Sequence, residues 1–180
     1  MKARKAKFRE YTEKFKTKHG VFDDFTNRTI FKLMSEGRFR GLESPISIGK
    51  ESNVFSALTK EGKRVIVKIY RLETCDFNRM YDYIKDDPRY TGLKDKKRKV
   101  IFVWVQREYR NLMNARDAQV NVPIPITFSN NILVLEFIGR NGSIAPKLKD
   151  SVPKNKKRFF DRIMDNIRKL YKANLVHADL

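Results

Sequence analysis

The sequence predicts an α+β fold, in which a small antiparallel sheet is combined with longer helices. Three short apolar runs at 45–48, 54–58 and 65–70 are joined by the turns 49–53 and 60–63, a pattern typical of an antiparallel meander. A second hairpin is predicted over 126–138, which brings the strands to five. Apolar residues recur at helical spacing from Val100 to about Ala118 and from Phe159 to Tyr171.

The third predicted strand contains a lysine among apolar residues. Alternation places Lys68 on one face with Ile66 and Tyr70, and Val67 on the other. Both faces are apolar, so this is an interior strand, where a lysine is costly unless its ammonium is paired. Lys68 therefore either extends to the rim of the sheet or meets an anion.

Two anions are available to Lys68 from the sequence. One is Glu108, which lies four residues after Trp104 on the apolar stripe of the predicted helix and there needs a cationic partner. The other is a phosphate bound at the glycine-containing turn Gly49–Asn53. The alternative for Glu108 is a position at the edge of the stripe, facing water.

The charge balance narrows the class of partner. The formal net charge is +19 at pH 7, which favours nucleic acid first and an acidic membrane surface second. A lysine-rich solvated surface explains the same charge without a partner. The single cysteine, Cys75, excludes an internal disulfide and fits a reducing compartment. No apolar run is long enough for a membrane span, and the basic N-terminus lacks the apolar stretch of a signal peptide, so we expect a cytoplasmic protein with no membrane partner.

Six short motifs occur in a characteristic order. They are Ser47–Phe55, Val67–Tyr70, Arg107–Leu112, Val122–Pro125, Leu135–Gly139 and Leu175–Leu180. This order resembles the protein kinases, and specifically the first subfamily of the RIO atypical kinases, from about Val21 to the last residue. The turn has one glycine where ordinary kinases have three, and RIO proteins share that departure.

The resemblance implies a protein-kinase-like N-terminal lobe, made of a twisted five-stranded antiparallel sheet with one key helix. A hinge and the first helices of an incomplete C-terminal lobe would follow. We expect a basic arm and helical extension over 1–42, the N-lobe over 43–138 with a flexible basic loop at 73–99, and the hinge and start of the C-lobe over 139–180.

The resemblance also implies roles for individual residues. Lys68 would hold the α- and β-phosphates of ATP, Glu108 would fix Lys68 by an ion pair, and Asp179 would orient or deprotonate the attacking hydroxyl or water. The expected ATP-binding residues are Ile48, Gly49, Lys50, Glu51, Ser52, Asn53, Val54, Val67, Lys68, Glu136, Phe137 and Ile138.

Within that set, 49–53 would cover the phosphates, Ile48, Val54 and Val67 would form apolar walls, and the backbone of Glu136 and Ile138 would bind adenine. Plain core packing for the walls, a simple strand turn for Gly49 and a solvated chain end for Asp179 are the alternatives. His177 would support the backbone of the catalytic loop.

The chain stops at Leu180, before the asparagine and the metal-binding aspartate that the resemblance would place next. The expected ligands of Mg²⁺ therefore lie beyond Leu180, and no metal-binding residue is expected within this chain. We expect a fragment of a longer protein, with poor binding of magnesium-nucleotide and little or no turnover.

The function implied by the resemblance is an ATP- and Mg²⁺-dependent kinase that phosphorylates serine, including itself, and also acts as an ATPase. The implied partners are the precursor of the small ribosomal subunit and its rRNA, through a role in maturation of that subunit. A basic RNA-binding module without catalysis is one alternative. A small-molecule phosphotransferase of kinase-like fold is another, against which the Gly49–Asn53 turn argues.

Overall fold

The computed structural model, which describes residues 22–90, 92–94 and 96–177, is built around a five-stranded sheet. Its five strands are β1 (Leu42–Ile48), β2 (Ser52–Leu58), β3 (Arg64–Tyr70), β4 (Pro125–Ser129) and β5 (Ile132–Glu136). The strand order is β1-β2-β3-β5-β4, and every neighbouring pair is antiparallel. The predicted meander and second hairpin are confirmed.

Four α-helices accompany this sheet in the described part of the chain. They are α1 (Asp24–Ser35), α2 (Phe77–Asp82), α3 (Lys97–Asp117) and α4 (Lys156–Lys172). A two-stranded hairpin of β6 (Gly139–Arg140) and β7 (Ser143–Ile144) follows β5. Among the described residues, no helix combines the length and apolar character needed to cross a bilayer.

Helix α1 packs on one face of the sheet. Asp23 caps it by accepting a hydrogen bond from the Thr26 N–H at 2.7 Å, and Gly37 ends it with a φ of 78°, a conformation that glycine adopts without strain. Ile30 and Leu33 are buried in one cluster with Val67 and other residues from β2, β3 and β5. This cluster forms the first core.

Helix α3 belongs to the second core, which contains Tyr70 and Leu133 from the sheet. Its buried residues are Val100, Ile101, Val105 and Ala115. Val100 and Ala115 of the predicted apolar stripe are therefore buried, whereas Trp104 and its neighbour Val103 are only half-buried at the margin of the second core. The Trp104 ring makes an edge contact with Tyr83, at 6.0 Å between centroids.

The segment from residue 73 to residue 99, expected to be a flexible basic loop, contains helical structure. It contains α2 and a short 3₁₀ helix, Pro88–Tyr90, and α3 already begins at Lys97. Five of its described apolar side chains are buried in the second core, namely Cys75, Met80, Ile84, Tyr90 and Leu93. Their irregular spacing between charged residues explains why no amphipathic pattern is visible in the sequence.

The hairpin after β5 depends on Gly139. A Cβ at this position would lie 2.2 Å from the Ser143 carbonyl oxygen and 2.5 Å from Cε1 of Phe137. Only glycine permits that approach, so the chain reverses directly after the predicted hinge segment. The predicted basic arm at residues 1–20 lies outside the described residues.

Candidate nucleotide site

The lysine of β3 meets the glutamate of α3. The Lys68 Nζ lies 2.8 Å from Oε1 of Glu108, and about a quarter of each side chain is exposed (25% and 26%). The pair joins the sheet to α3 across the edge of the second core. Of the two positions left open for Lys68 by the sequence, the structure shows the one in which its ammonium meets a carboxylate.

Tyr70 completes this arrangement, and sequence reasoning assigned it no role. Its hydroxyl donates a hydrogen bond of 2.5 Å to Oε2 of Glu108, and the Lys68 Nζ lies 4.8 Å from the centre of its ring. Burial, followed by the adjacent charge of Glu108, raises the pKa of Tyr70 well above its ordinary value. The phenol therefore stays protonated and donates, so both oxygens of Glu108 are held. Its position two residues after Lys68, on the same face, was the available signal.

The turn between β1 and β2 is a tight two-residue connection. Ile48 pairs with Asn53, and the Gly49 N–H donates to the Ser52 carbonyl at 3.0 Å, which leaves Lys50 and Glu51 at the tip. Both tip side chains are exposed. The strand that leaves the turn runs beside Lys68, because Ser52 pairs with Tyr70 and Val54 pairs with Lys68. The turn, Val54 and Lys68 are thus brought together as predicted.

Two predicted site residues lie on the opposite face of the sheet from Lys68. Val67 is fully buried in the first core, and Asn53, which pairs with Ile69, points to the same side. Neither side chain amide atom of Asn53 has a hydrogen-bond partner among the described residues, and the residue is fully buried. Strand alternation turns the Val67 and Asn53 side chains away from Lys68. The expected wall at Val67 and the expected phosphate contact at Asn53 therefore stay predictions that this arrangement does not favour.

Ile66 occupies the position that the sequence analysis gave to Val67. It shares a face with Lys68, is 8% exposed, and pairs with Leu135 of β5. An apolar wall beside Lys68 is therefore built from Ile66, Val54 and Leu135. The alternation of β3 already places Ile66 on the same face as Lys68, whereas the family motif led to Val67.

The residues expected to bind adenine, 136–138, lie at the end of β5 and directly after it. The Glu136 N–H donates to the Ile124 carbonyl at 2.8 Å, and its Oε2 accepts from the Ile124 N–H at 3.0 Å. The Ile138 carbonyl accepts from the Ala145 N–H at 2.9 Å. These bonds commit the Glu136 N–H and the Ile138 carbonyl to partners within the protein, so the expected binding of adenine by this backbone stays a prediction for the other groups of the segment. The side chains of Ile138 and Ile48 are about half exposed (48% and 49%).

A cavity of about 370 Å³ lies beside the hinge, between β1 and the hairpin of β6 and β7. It is lined by Glu43, Ser44, Pro45, Ile46, Ser56, Arg64, Phe137, Gly142 and Ile144. Phe137 is the only predicted site residue among these, so the cavity does not contain Lys68 or the turn. We place the candidate site at the Lys68–Glu108 pair because Lys68 supplies the positive charge that can meet a phosphate.

The remaining predicted residues concern catalysis and metal binding. Asp179 lies outside the described residues, and His177 is exposed at the end of the described range. In the described ranges, no group of three or more His, Cys, Asp or Glu side chains is arranged to hold a metal ion.

Comparison with known proteins decides the family. Residues 53–180 match the RIO domain. The chain belongs to the RIO family. It is 39% identical over 168 residues to the RIO-type serine/threonine-protein kinase Rio1 of Haloferax volcanii, covering 93% of this chain and 58% of that relative. The corresponding Rio1 of Methanocaldococcus jannaschii is 38% identical, with 97% and 60% covered.

These comparisons confirm the predicted resemblance to the Rio1 kinases. The human serine/threonine-protein kinase RIO1 is 33% identical, and the match covers 89% of this chain and 29% of the human protein. The chain spans about 58–60% of the length of the two archaeal relatives.

The fold is also shared with a solved structure. The Rio2 kinase of Chaetomium thermophilum, in a complex with ADP/Mg²⁺ and phosphoaspartate, superposes with a TM-score of 0.55 at 19% identity, covering 82% of this chain and 42% of that chain. The predicted kinase-like N-lobe is therefore confirmed at the level of fold.

Proposed function

We propose that this chain is the nucleotide-binding part of a RIO-type protein kinase that transfers the γ-phosphoryl group of ATP to serine, including serine of its own polypeptide. The observation that supports this most directly is the ion pair between Lys68 and Glu108, at 2.8 Å, on the face of the sheet that adjoins the turn. ATP hydrolysis, with ATP and Mg²⁺ as cofactors, belongs to the same proposal.

Each residue of the site has a part in this chemistry. Phosphoryl transfer depends mainly on positioning and on neutralising the charge of the phosphates. The Lys68 ammonium supplies the positive charge, Glu108 fixes its direction, and Tyr70 fixes Glu108. Lys50, Glu51 and Ser52 cover the phosphates, and Val54 and Ile66 contact the adenine. Asp179 orients the hydroxyl that attacks.

Replacement of Lys68 tests the proposal. Lys68→Ala in the intact protein is expected to lower ATP turnover by at least about 100-fold while the far-ultraviolet circular dichroism is unchanged, since the pair lies at the margin of the core. Lys85→Ala is the matched control, because Lys85 is a more exposed lysine that also forms an ion pair, with Asp82 at 2.9 Å. Normal turnover in the Lys68 variant would refute the proposed site.

We further propose contact with rRNA of the small ribosomal subunit precursor, in a cytoplasmic role in its maturation. The supporting observation is a set of exposed cations at the start of α3, namely Lys94, Lys96, Lys97, Arg98 and Lys99. The first turn of α3 has no acidic residue, and no side chain caps it. Because a helix N-terminus is the positive end of the dipole, these charges favour an anionic partner.

Reversal of charge at Lys94, Lys96 and Lys99 tests this contact. The binding of an rRNA fragment is expected to weaken, and the slope of log affinity against log salt is expected to fall by about 3 for three lost phosphate contacts. The same variant should keep its ATP turnover. An unchanged salt slope would exclude these residues from the contact. RNA binding with no ATP turnover in the wild type would favour the non-catalytic RNA-binding module.

A further inference from the structure

The segment that follows β3, residues 71–75, which we call the brace, holds the turn between β1 and β2. The Thr74 hydroxyl donates to the Lys50 carbonyl at 2.7 Å. The Glu51 carbonyl accepts two bonds, from the Arg71 N–H at 2.9 Å and from the Cys75 thiol at 3.0 Å. Both residues at the tip of the turn are therefore held through their carbonyl groups.

These bonds fix the direction of the amide groups in the turn. The described residues contain no cis peptide bond, so in each peptide the N–H points away from the C=O of the same plane. With the carbonyls of Lys50 and Glu51 directed to the brace, the N–H groups of Glu51 and Ser52 are directed away from it. Amide N–H groups are ordinary donors to phosphate oxygens.

The side chains of Thr74 and Cys75 differ in exposure, but each carries the hydrogen that it donates. Cys75 is 5% exposed, and burial is the main cause that raises the pKa of its thiol to about 11. At neutral pH it therefore remains an S–H group and donates. Thr74 is exposed to solvent, yet its hydroxyl bonds the Lys50 carbonyl.

We propose that Thr74 and Cys75 are positioning residues, which hold the Lys50–Glu51 turn in the conformation that covers the phosphates of a bound nucleotide. This inference rests on the proposed function, because it assigns the turn a phosphate ligand. The brace holds the turn against the phosphates by hydrogen bonds. A glycine-rich loop instead reaches the phosphates through the flexibility of its backbone. Loss of the brace should therefore weaken binding of the phosphates of a nucleotide and leave binding of the base unchanged.

Variants of the intact protein that remove or keep the two side-chain donors test the brace. Thr74→Val and Cys75→Ala remove one donor each, and Thr74→Ser and Cys75→Ser restore a donor. Thr127→Val is the matched control, because Thr127 lies on β4 at the opposite edge of the sheet. Two quantities are measured, namely amide hydrogen exchange at Glu51 and Ser52 without nucleotide, and the affinities for Mg·ADP and for adenosine.

The expected results follow from the contribution of one neutral hydrogen bond. Thr74→Val and Cys75→Ala should each speed exchange and weaken Mg·ADP binding by about fivefold, and the double variant by about 25-fold. Adenosine affinity should stay within about twofold, since the base does not contact the turn. The serine variants should recover most of the lost affinity, and Thr127→Val should match the wild type.

Three outcomes overturn the inference, and they are distinguishable from one another. Unchanged exchange and unchanged Mg·ADP affinity in the Thr74→Val/Cys75→Ala variant would refute the brace while the proposed function stands. An equal loss of affinity for Mg·ADP and adenosine would show a general structural role instead. Faster exchange in a protein whose wild type binds no Mg·ADP would refute the positioning role together with the proposed function.

Discussion

Removal of the charge on Glu108 is the perturbation that the structure defines most sharply. Glu108→Gln keeps the shape of the side chain and its contact with Tyr70, and Lys68→Met keeps most of the length of the lysine. Hydrogen bonds to charged groups contribute about 1.5–3 kcal/mol, whereas exposed ion pairs contribute about 0–1 kcal/mol. Since about a quarter of each side chain is exposed (25% and 26%), we expect a coupling energy of about 1–2 kcal/mol between them.

The assay is a double-mutant cycle on the free energy of unfolding, measured with urea for the wild type, the two single variants and the double variant. The chain offers a matched control in the Lys85–Asp82 pair, with a similar distance of 2.9 Å but exposures of 45% and 64%. For this exposed pair we expect a coupling of at most about 0.5 kcal/mol.

Because the two ion pairs have similar N–O distances but different exposures, comparing their coupling energies isolates the effect of burial. If the Lys68–Glu108 coupling is no larger than that of Lys85–Asp82, the pair is an ordinary surface contact, and the reasoning that places a held cation in the sheet is refuted. A larger coupling that disappears in the Tyr70→Phe background would instead show that the tyrosine is part of the same unit.

Three further predictions concern single residues. Because the pKa of the Tyr70 phenol is raised on folding, it contributes stability below about pH 10 that is lost at higher pH. Above about pH 10 the free energy of unfolding of the wild type should fall by up to about 1.4 kcal/mol more per pH unit than that of Tyr70→Phe. Equal slopes in alkaline urea titrations would contradict this. Cys75, with a pKa of about 11 against an ordinary value of 9.0, should react with iodoacetamide at pH 8 at least about 100-fold more slowly than in the urea-unfolded chain, and equal rates would exclude the buried thiol. Gly139→Ala should lower the free energy of unfolding by about 1–3 kcal/mol, because its Cβ would lie 2.2 Å from the Ser143 carbonyl oxygen, and an unchanged midpoint would show that the hairpin can open there without cost.

The sheet and the charged pair were predictable from the sequence because each follows from a local rule. Alternation in β3 and the cost of an unpaired lysine led to Lys68, and helical spacing led to Glu108 as its partner. The structure shows the two side chains in contact at 2.8 Å. Family resemblance added the roles and assigned Val67 to an apolar wall, although strand alternation turns Val67 to the face opposite Lys68. A motif orders residues along the chain without stating which face each one occupies.

What could not be predicted depends on contacts between distant segments. Helix α2 is short, and its single buried residue, Met80, gives no amphipathic pattern. The buried face of α3 is set by α2 and the sheet together, so Val105 is buried where Trp104 was expected. The bonds from Thr74 and Cys75 to the turn link residues 24 positions apart in sequence, and no sequence rule predicts such hydrogen bonds.

The most direct test of the central claim is to identify which lysine lies beside the phosphates of a bound nucleotide. An acyl-phosphate derivative of ATP transfers its acyl group to a nearby amine, and mass spectrometry then locates the labelled lysine. We predict that Lys68 is labelled first and is protected by excess Mg·ADP but not by adenosine. Labelling spread over exposed lysines such as Lys156 and Lys172 of α4, with Lys68 unlabelled or unprotected, would contradict the claim that Lys68 holds a nucleotide.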